Sequence, residues 1–193
     1  MEHRSSQALT VVQHRTATQI LWIIGYAAAT AIAARVEIPH QPVPYTLQTL
    51  VVLLSGAYLG AVNGAISQFA YLAMGLLGAP VFAGGAMGAA YLLGPTGGYL
   101  LAFPVAAWLT GALLRERKSL LLSFGVMLLA DLLIFGFGTI QLYATTLHDW
   151  SQSVSAGFFA FSWWDAAKVG TAAVLYSGIT WKARAGGTGT SSR

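Results

Sequence analysis

Residues 158–181, FFAFSWWDAAKVGTAAVLYSGITW, place an acid and a base, Asp165 and Lys168, three positions apart in a stretch otherwise dominated by Phe, Trp, Ala, Val and Leu. On a helix, a spacing of three puts both side chains on one face. In a membrane helix, each ionisable group costs about 2.5–3.5 kcal/mol on insertion scales, so the pair needs a mutual salt bridge, a helix cap or a ligand to hold it there. The rest of the chain supplies the context for that choice.

Composition points to a membrane. Of 193 residues, 56% are hydrophobic and only 8% charged, and the mean hydropathy is +0.65. A soluble domain carries about 25% charged residues, so this chain lacks the side chains for a water-facing surface. At about 20 apolar residues per crossing, the length accommodates roughly six helices with short loops. The fold class expected is therefore all-α, a polytopic membrane protein with six transmembrane helices. There is no cysteine, which removes thiolate metal sites and disulfides. The histidines, His3, His14, His40 and His148, are scattered rather than helically spaced, so no metal site and no cofactor are expected.

Residues 1–16 read as a polar tail, 17–184 as the membrane domain and 185–193 as a disordered Gly/Thr/Ser tail. The first apolar stretch, 20–34, has signal-peptide features, but the apolar stretches that follow favour an integral membrane segment. Three prolines within residues 38–45 predict an extended loop. Helices are expected at 46–61 and 65–77, joined by a turn at Asn63-Gly64, then at 99–114, 120–142 and 163–182. The intervening 78–98 is too rich in glycine for one helix and too apolar for a solvated loop. Such backbone is tolerated at membrane depth where protein buries it or it lines a cavity.

Arg4, Arg15, Arg115, Arg117, Lys118, Lys182, Arg184 and Arg193 fall in the tails or in the loop after 99–114, and Arg35 alone falls in the opposite set. The positive-inside rule then makes both termini cytoplasmic and requires an even number of crossings. Asp165 and Lys168 come to lie at the outer mouth of the last helix.

Ser162 and Asp165 match a capping box, and Lys168 has the stem to snorkel towards headgroups; a ligand pair is the competing reading. Trp163 and Trp164 suit interfacial anchoring. The glycine-rich stretch lacks the G-K-[ST] of a phosphate loop and lets backbone approach a ligand or a helix closely; its polar groups are Tyr91, Thr96 and Tyr99. Gln48, Gln68 and Asn63 are amides suited to interhelical hydrogen bonds. Asp131 is a second intramembrane acid with no cation in its own segment. Small residues at Ala27/Ala31 and Ala29/Ala33 permit close helix approach.

Four strings, AATAIAARVEIP (28–39), PVPYTLQTL (42–50), GAPVFAGG (78–85) and LGPTGGY (93–99), together with the D-x-x-K of Asp165 and Lys168, resemble the BioY family across residues 20–182. These are the biotin-binding membrane components (S components) of energy-coupling-factor (ECF) transporters. The resemblance implies the six-helix ECF S-component fold in a prokaryotic cell membrane, with biotin near the outer face. It also implies a transmembrane coupling subunit and ATPase subunits as partners, with Ala27 and Ala31 as the docking face. Substrate-binding candidates are Asp165, Lys168, Tyr91, Thr96, Gly97, Tyr99 and Gln48. Biotin offers ureido N–H donors, a ureido carbonyl, an apolar bicycle and a carboxylate. A buried carboxylate suits the N–H groups, and an ammonium suits the ureido oxygen or the ligand carboxylate. Asp131 and the Trp163–Trp164 pair fall outside the resemblance.

Other readings are an S component for another vitamin, a structural membrane subunit, and an intramembrane enzyme using Asp131 and Asp165 as an acid pair. The last lacks an H-E-x-x-H or G-x-S-x-G signature, and an enzyme is not expected.

Overall fold

The computed structural model describes residues 2–115, 119–159 and 163–187. Helix α1 spans Glu2–Ala33. A short hairpin follows, in which β1 (Glu37–Ile38) pairs antiparallel with β2 (Tyr45–Thr46), Glu37 opposite Thr46. Helix α2 covers Gln48–Leu76 and α3 is the single turn Ala89–Leu92. Then come α4 (Gly97–Leu114) and α5 (Leu120–Leu142). A wider helical turn, Tyr143–Leu147, extends α5, and α6 (Trp150–Ser153) starts at an Asp149 cap. Helix α7 runs Trp163–Gly187.

The α2 segment is not one rod. Gly60 adopts φ 79° and ψ 177°, a region only glycine occupies without strain, and the chain reverses there. The two arms, 48–59 and 61–76, lie antiparallel: a side chain at Gly64 would meet the backbone of Gly56, and Gln48 reaches Tyr71. The turn predicted at Asn63-Gly64 therefore falls three residues earlier, because Gly64 is spent on close packing of the arms. With the arms taken separately, the six expected helices are α1, the two arms, α4, α5 and α7. By length and hydropathy alone, four stretches among the described residues qualify as spans: Thr16–Ala33, Gln48–Leu76, Gly97–Leu114 and Leu120–Leu147. Large apolar side chains such as Leu21, Val62, Phe69 and Leu121 face outward, which suits a lipid solvent.

Two other boundaries move. Residues 2–16, expected as a tail, continue α1, since nothing in them breaks a helix. The last helix continues to Gly187, and residues 188–193 of the expected tail lie outside the described residues. So do Ser162 of the expected capping box, and Arg117, Lys118 and Arg193 of the charge argument.

The core is built around α4, which packs on both arms of α2 and on α5. Ala102, Ala106 and Ala107 are fully buried there, and a Cβ at Gly56 or Gly111 would collide with facing backbone. A polar seam fastens α1 to the two arms of α2. Gln68 Nε2 donates to Ser55 Oγ and Ser67 Oγ, both at 3.1 Å, and its Oε1 accepts from Thr30 Oγ1 at 3.3 Å. All four side chains are buried, so the amide makes the interhelical bonds anticipated for it.

Gly60→Ala should lower unfolding stability by about 1–3 kcal/mol, the cost of a Cβ in that backbone region. Gly25→Ala, on an open face of α1 with no atom near its Cβ, should be neutral or slightly stabilising. Thermal unfolding of both variants in detergent checks this. Equal melting temperatures would contradict the reversal at Gly60.

Candidate functional site

Asp165 and Lys168 stand in the first turns of α7 and are buried, 1% and 5% exposed. Lys168 Nζ lies 2.5 Å from Asp165 Oδ1 and donates to the Thr46 carbonyl at 3.0 Å. Lys168 thus turns into the bundle rather than towards headgroups, and joins the start of α7 to β2. A relay continues from there. Thr46 Oγ1 donates to Gln48 Oε1 at 3.0 Å, Gln48 Nε2 donates to Tyr71 Oη at 2.6 Å, and Tyr71 donates to the Val81 carbonyl at 3.3 Å. This fixes the orientation of the Gln48 amide and ties α2 to the glycine-rich segment.

Over this polar floor lies a cavity of about 620 Å³, its open mouth included. Its aromatic walls are Tyr99, Phe103 and Phe135. Tyr99 is set edge-on to Phe135, ring centroids 5.8 Å apart, and donates to the Gly157 carbonyl at 3.0 Å. Tyr91 stacks on Phe82 at 5.3 Å and is hydrogen-bonded to Thr96. Desolvation pushes the Tyr91 phenol up, partly offset by the Thr96 bond, with Glu37 raising it further. Tyr45 is also raised, by burial and then by the charge of Asp165. Both phenols therefore remain protonated donors at neutral pH.

The β hairpin and the glycine-rich segment are fastened at the rim. Gly84 N donates to Glu37 Oε2 at 2.9 Å, and Arg35 donates to the Pro80 carbonyl. Gly84 and Gly85 both have positive φ there, a conformation glycine adopts freely.

Of the residues singled out in the sequence, Asp165, Lys168, Gln48, Tyr91, Thr96 and Tyr99 all line this cavity. Gly97 does not. A Cβ there would collide with the Leu92 carbonyl and with Gln141, so its absence serves packing under α3. Gln141, unremarked in the sequence, donates to the Leu92 and Gly94 carbonyls, each at 2.7 Å. Thr49 was also missed; it lines the cavity, and its buried hydroxyl has no partner among the described residues. Phe103 and Phe135 carried no signal beyond hydrophobicity.

Ala27 and Ala31 turn inward. Ala27 is buried in the core and Ala31 packs against it, so the small-residue face of α1 serves packing within the bundle. Trp163 is exposed as an anchor would be, whereas Trp164 is half-buried. Asp131 is fully buried and does not line the cavity. Among the described residues no three His, Cys, Asp or Glu side chains are grouped to hold a metal.

Fold and site together define a membrane-embedded receptor: a helical bundle with a largely apolar, aromatic-walled cavity over a charged floor, at the end opposite Arg115. Comparison with known proteins agrees. The BioY family model matches residues 4–185. The biotin transporter BioY of Thermotoga maritima is 36% identical over 152 residues, covering 78% of this chain and 88% of that protein. The biotin transporter BioY2 of Lactococcus lactis subsp. cremoris is 40% identical over 136 residues, covering 70% and 75%. A crystal structure of the S-component for biotin from an ECF-type ABC transporter superposes with a TM-score of 0.81 at 27% identity, covering 86% of this chain and 93% of that one. The chain belongs to the BioY family.

Lys168→Met should lower stability by about 3–5 kcal/mol, because it strands a buried carboxylate and frees the Thr46 carbonyl. Adding Asp165→Asn should recover part of the loss. Thermal unfolding of the single and double variants measures this, and purely additive effects would show that the pair is not coupled.

Proposed function

We propose that this chain takes up biotin as the substrate-binding membrane component of an ECF-type transporter, holding the vitamin in the cavity above Asp165 and Lys168. The observation that carries the reading is the buried ion pair opening onto an aromatic-walled cavity. Asp165 accepts from the ureido N–H groups, and charge-assisted bonds of this kind are the stronger ones. Lys168, already bonded to Asp165 and Thr46, turns its remaining N–H to the ureido oxygen or to the ligand carboxylate. Tyr99, Phe103 and Phe135 enclose the bicycle, and the Thr49 hydroxyl offers a further polar contact. The Thermotoga and Lactococcus relatives are named for biotin, as is the solved structure.

The chain contains no Walker sequence, so energised uptake draws on a transmembrane coupling subunit and ATPase subunits. The setting is a prokaryotic plasma membrane with both termini cytoplasmic, which turns the cavity outward. A cysteine at His148, near the cavity end, should then react with an impermeant thiol reagent added to whole cells, and one at Arg115 should not. The opposite labelling would put the cavity on the wrong side.

Asp165→Asn keeps the shape of the side chain but offers a weaker, neutral acceptor. Biotin affinity should fall by about 1.5–3 kcal/mol. If Asp165 serves only as a helix-start charge, melting temperature shifts modestly and affinity stays within about 0.5 kcal/mol. Titration and unfolding of the same variant decide between the two.

A further inference from the structure

Asp131 is the one charged residue inside α5, and the site as described leaves it unused. It is fully buried, and neither carboxylate oxygen has a hydrogen-bond partner among the described residues. One turn along the same helix, Ile134 and Phe135 line the cavity. The charged side chains that act on Asp131 come from α7, Lys168 and then Asp165. Among the described residues the other elements packed on α5 add no charge: α4 contributes Tyr99 as its titratable side chain, α2 contributes Tyr58 and Tyr71, and the turn after α5 contributes Tyr143.

With all three groups ionised, this buried cluster would hold one uncompensated negative charge. A charge without a partner in a low-dielectric interior is so costly that the group neutralises instead. Asp165 has Lys168 at bonding distance, whereas neither oxygen of Asp131 has a hydrogen-bond donor among the described residues, so the proton belongs on Asp131.

We propose that Asp131 is a neutral carboxylic acid in the working protein, and that this proton sets the charge selectivity of the ligand site. With the proton in place the cluster is neutral overall and accepts an anionic ligand. Once the proton is lost, the cluster repels the ligand carboxylate from within the bundle. The proton and a bound anion therefore favour one another, and affinity for an anion falls as pH rises through the ionisation of Asp131. A ligand of the same shape without a charge escapes that fall. The proposal rests on the reading of the cavity as a biotin site.

Two measurements test it. Infrared spectroscopy of the ligand-free protein at neutral pH should show a protonated carboxyl band, absent in Asp131→Asn. Biotin affinity of the parent should weaken roughly three- to tenfold between about pH 6 and about pH 9, the effect of one added charge at an effective dielectric near 20. Asp131→Asn should bind like the parent at about pH 6 and hold that affinity at about pH 9, and biotin amide should show little pH dependence with the parent. Absence of the protonated band, or a variant profile parallel to the parent's, overturns the proposal. If the parent binds no biotin at any pH, the functional reading fails instead, and the infrared spectrum, which needs no ligand, still decides where the proton lies.

Discussion

The ammonium of Lys168 is the constraint on which the rest of the site depends. It meets Asp165 on its own helix and the Thr46 carbonyl on the hairpin, elements far apart in sequence. Without that contact the start of α7 and the strand after the proline-rich loop have no charged link. Through Thr46 the same constraint reaches Gln48, Tyr71 and the glycine-rich segment. A buried ion pair is weak evidence for stability, since hydrophobic replacements of similar volume often do as well. Its presence beside a cavity is more telling, because both charged groups line that cavity.

The remainder of the bundle is arranged to make that cavity possible. Small residues bring backbones close wherever helices cross: Gly56 faces Ala107, and Gly111 faces the turn at Gly60. This lets α2 double back beside α4 and leaves the ends of the helices to surround a hollow. The buried seam of Thr30, Ser55, Ser67 and Gln68 then holds α1 in register by hydrogen bonds, the kind of contact that distinguishes helix pairs where lipid and side chains are equally apolar. Rim contacts from Arg35 and Glu37 to the glycine-rich segment complete the enclosure.

Much of this was legible in the sequence because charge is so scarce. An acid and a base in an apolar run have few explanations, and Asp165 and Lys168 were found on that ground alone. The all-helical class followed from hydropathy, and the cavity-lining role of the glycine-rich stretch from its unsuitability as helix or loop. What sequence could not resolve was direction. Ala27 and Ala31 have the spacing of a docking face, yet that spacing is equally that of a packing face, and they face the core. Gly60 and Gly64 are both plausible turn residues, and only the packing of the arms chooses between them. Thr49 and Gln141 look like any polar residue near a helix end, since their significance lies in which cavity or carbonyl they meet.

Whether this cavity is a biotin site is decided by calorimetric titration of the full chain in detergent. One biotin per chain should bind saturably, and thiamine, a cationic vitamin of different shape, should not bind. Equal binding of both vitamins, or no heat with biotin, would contradict a biotin site.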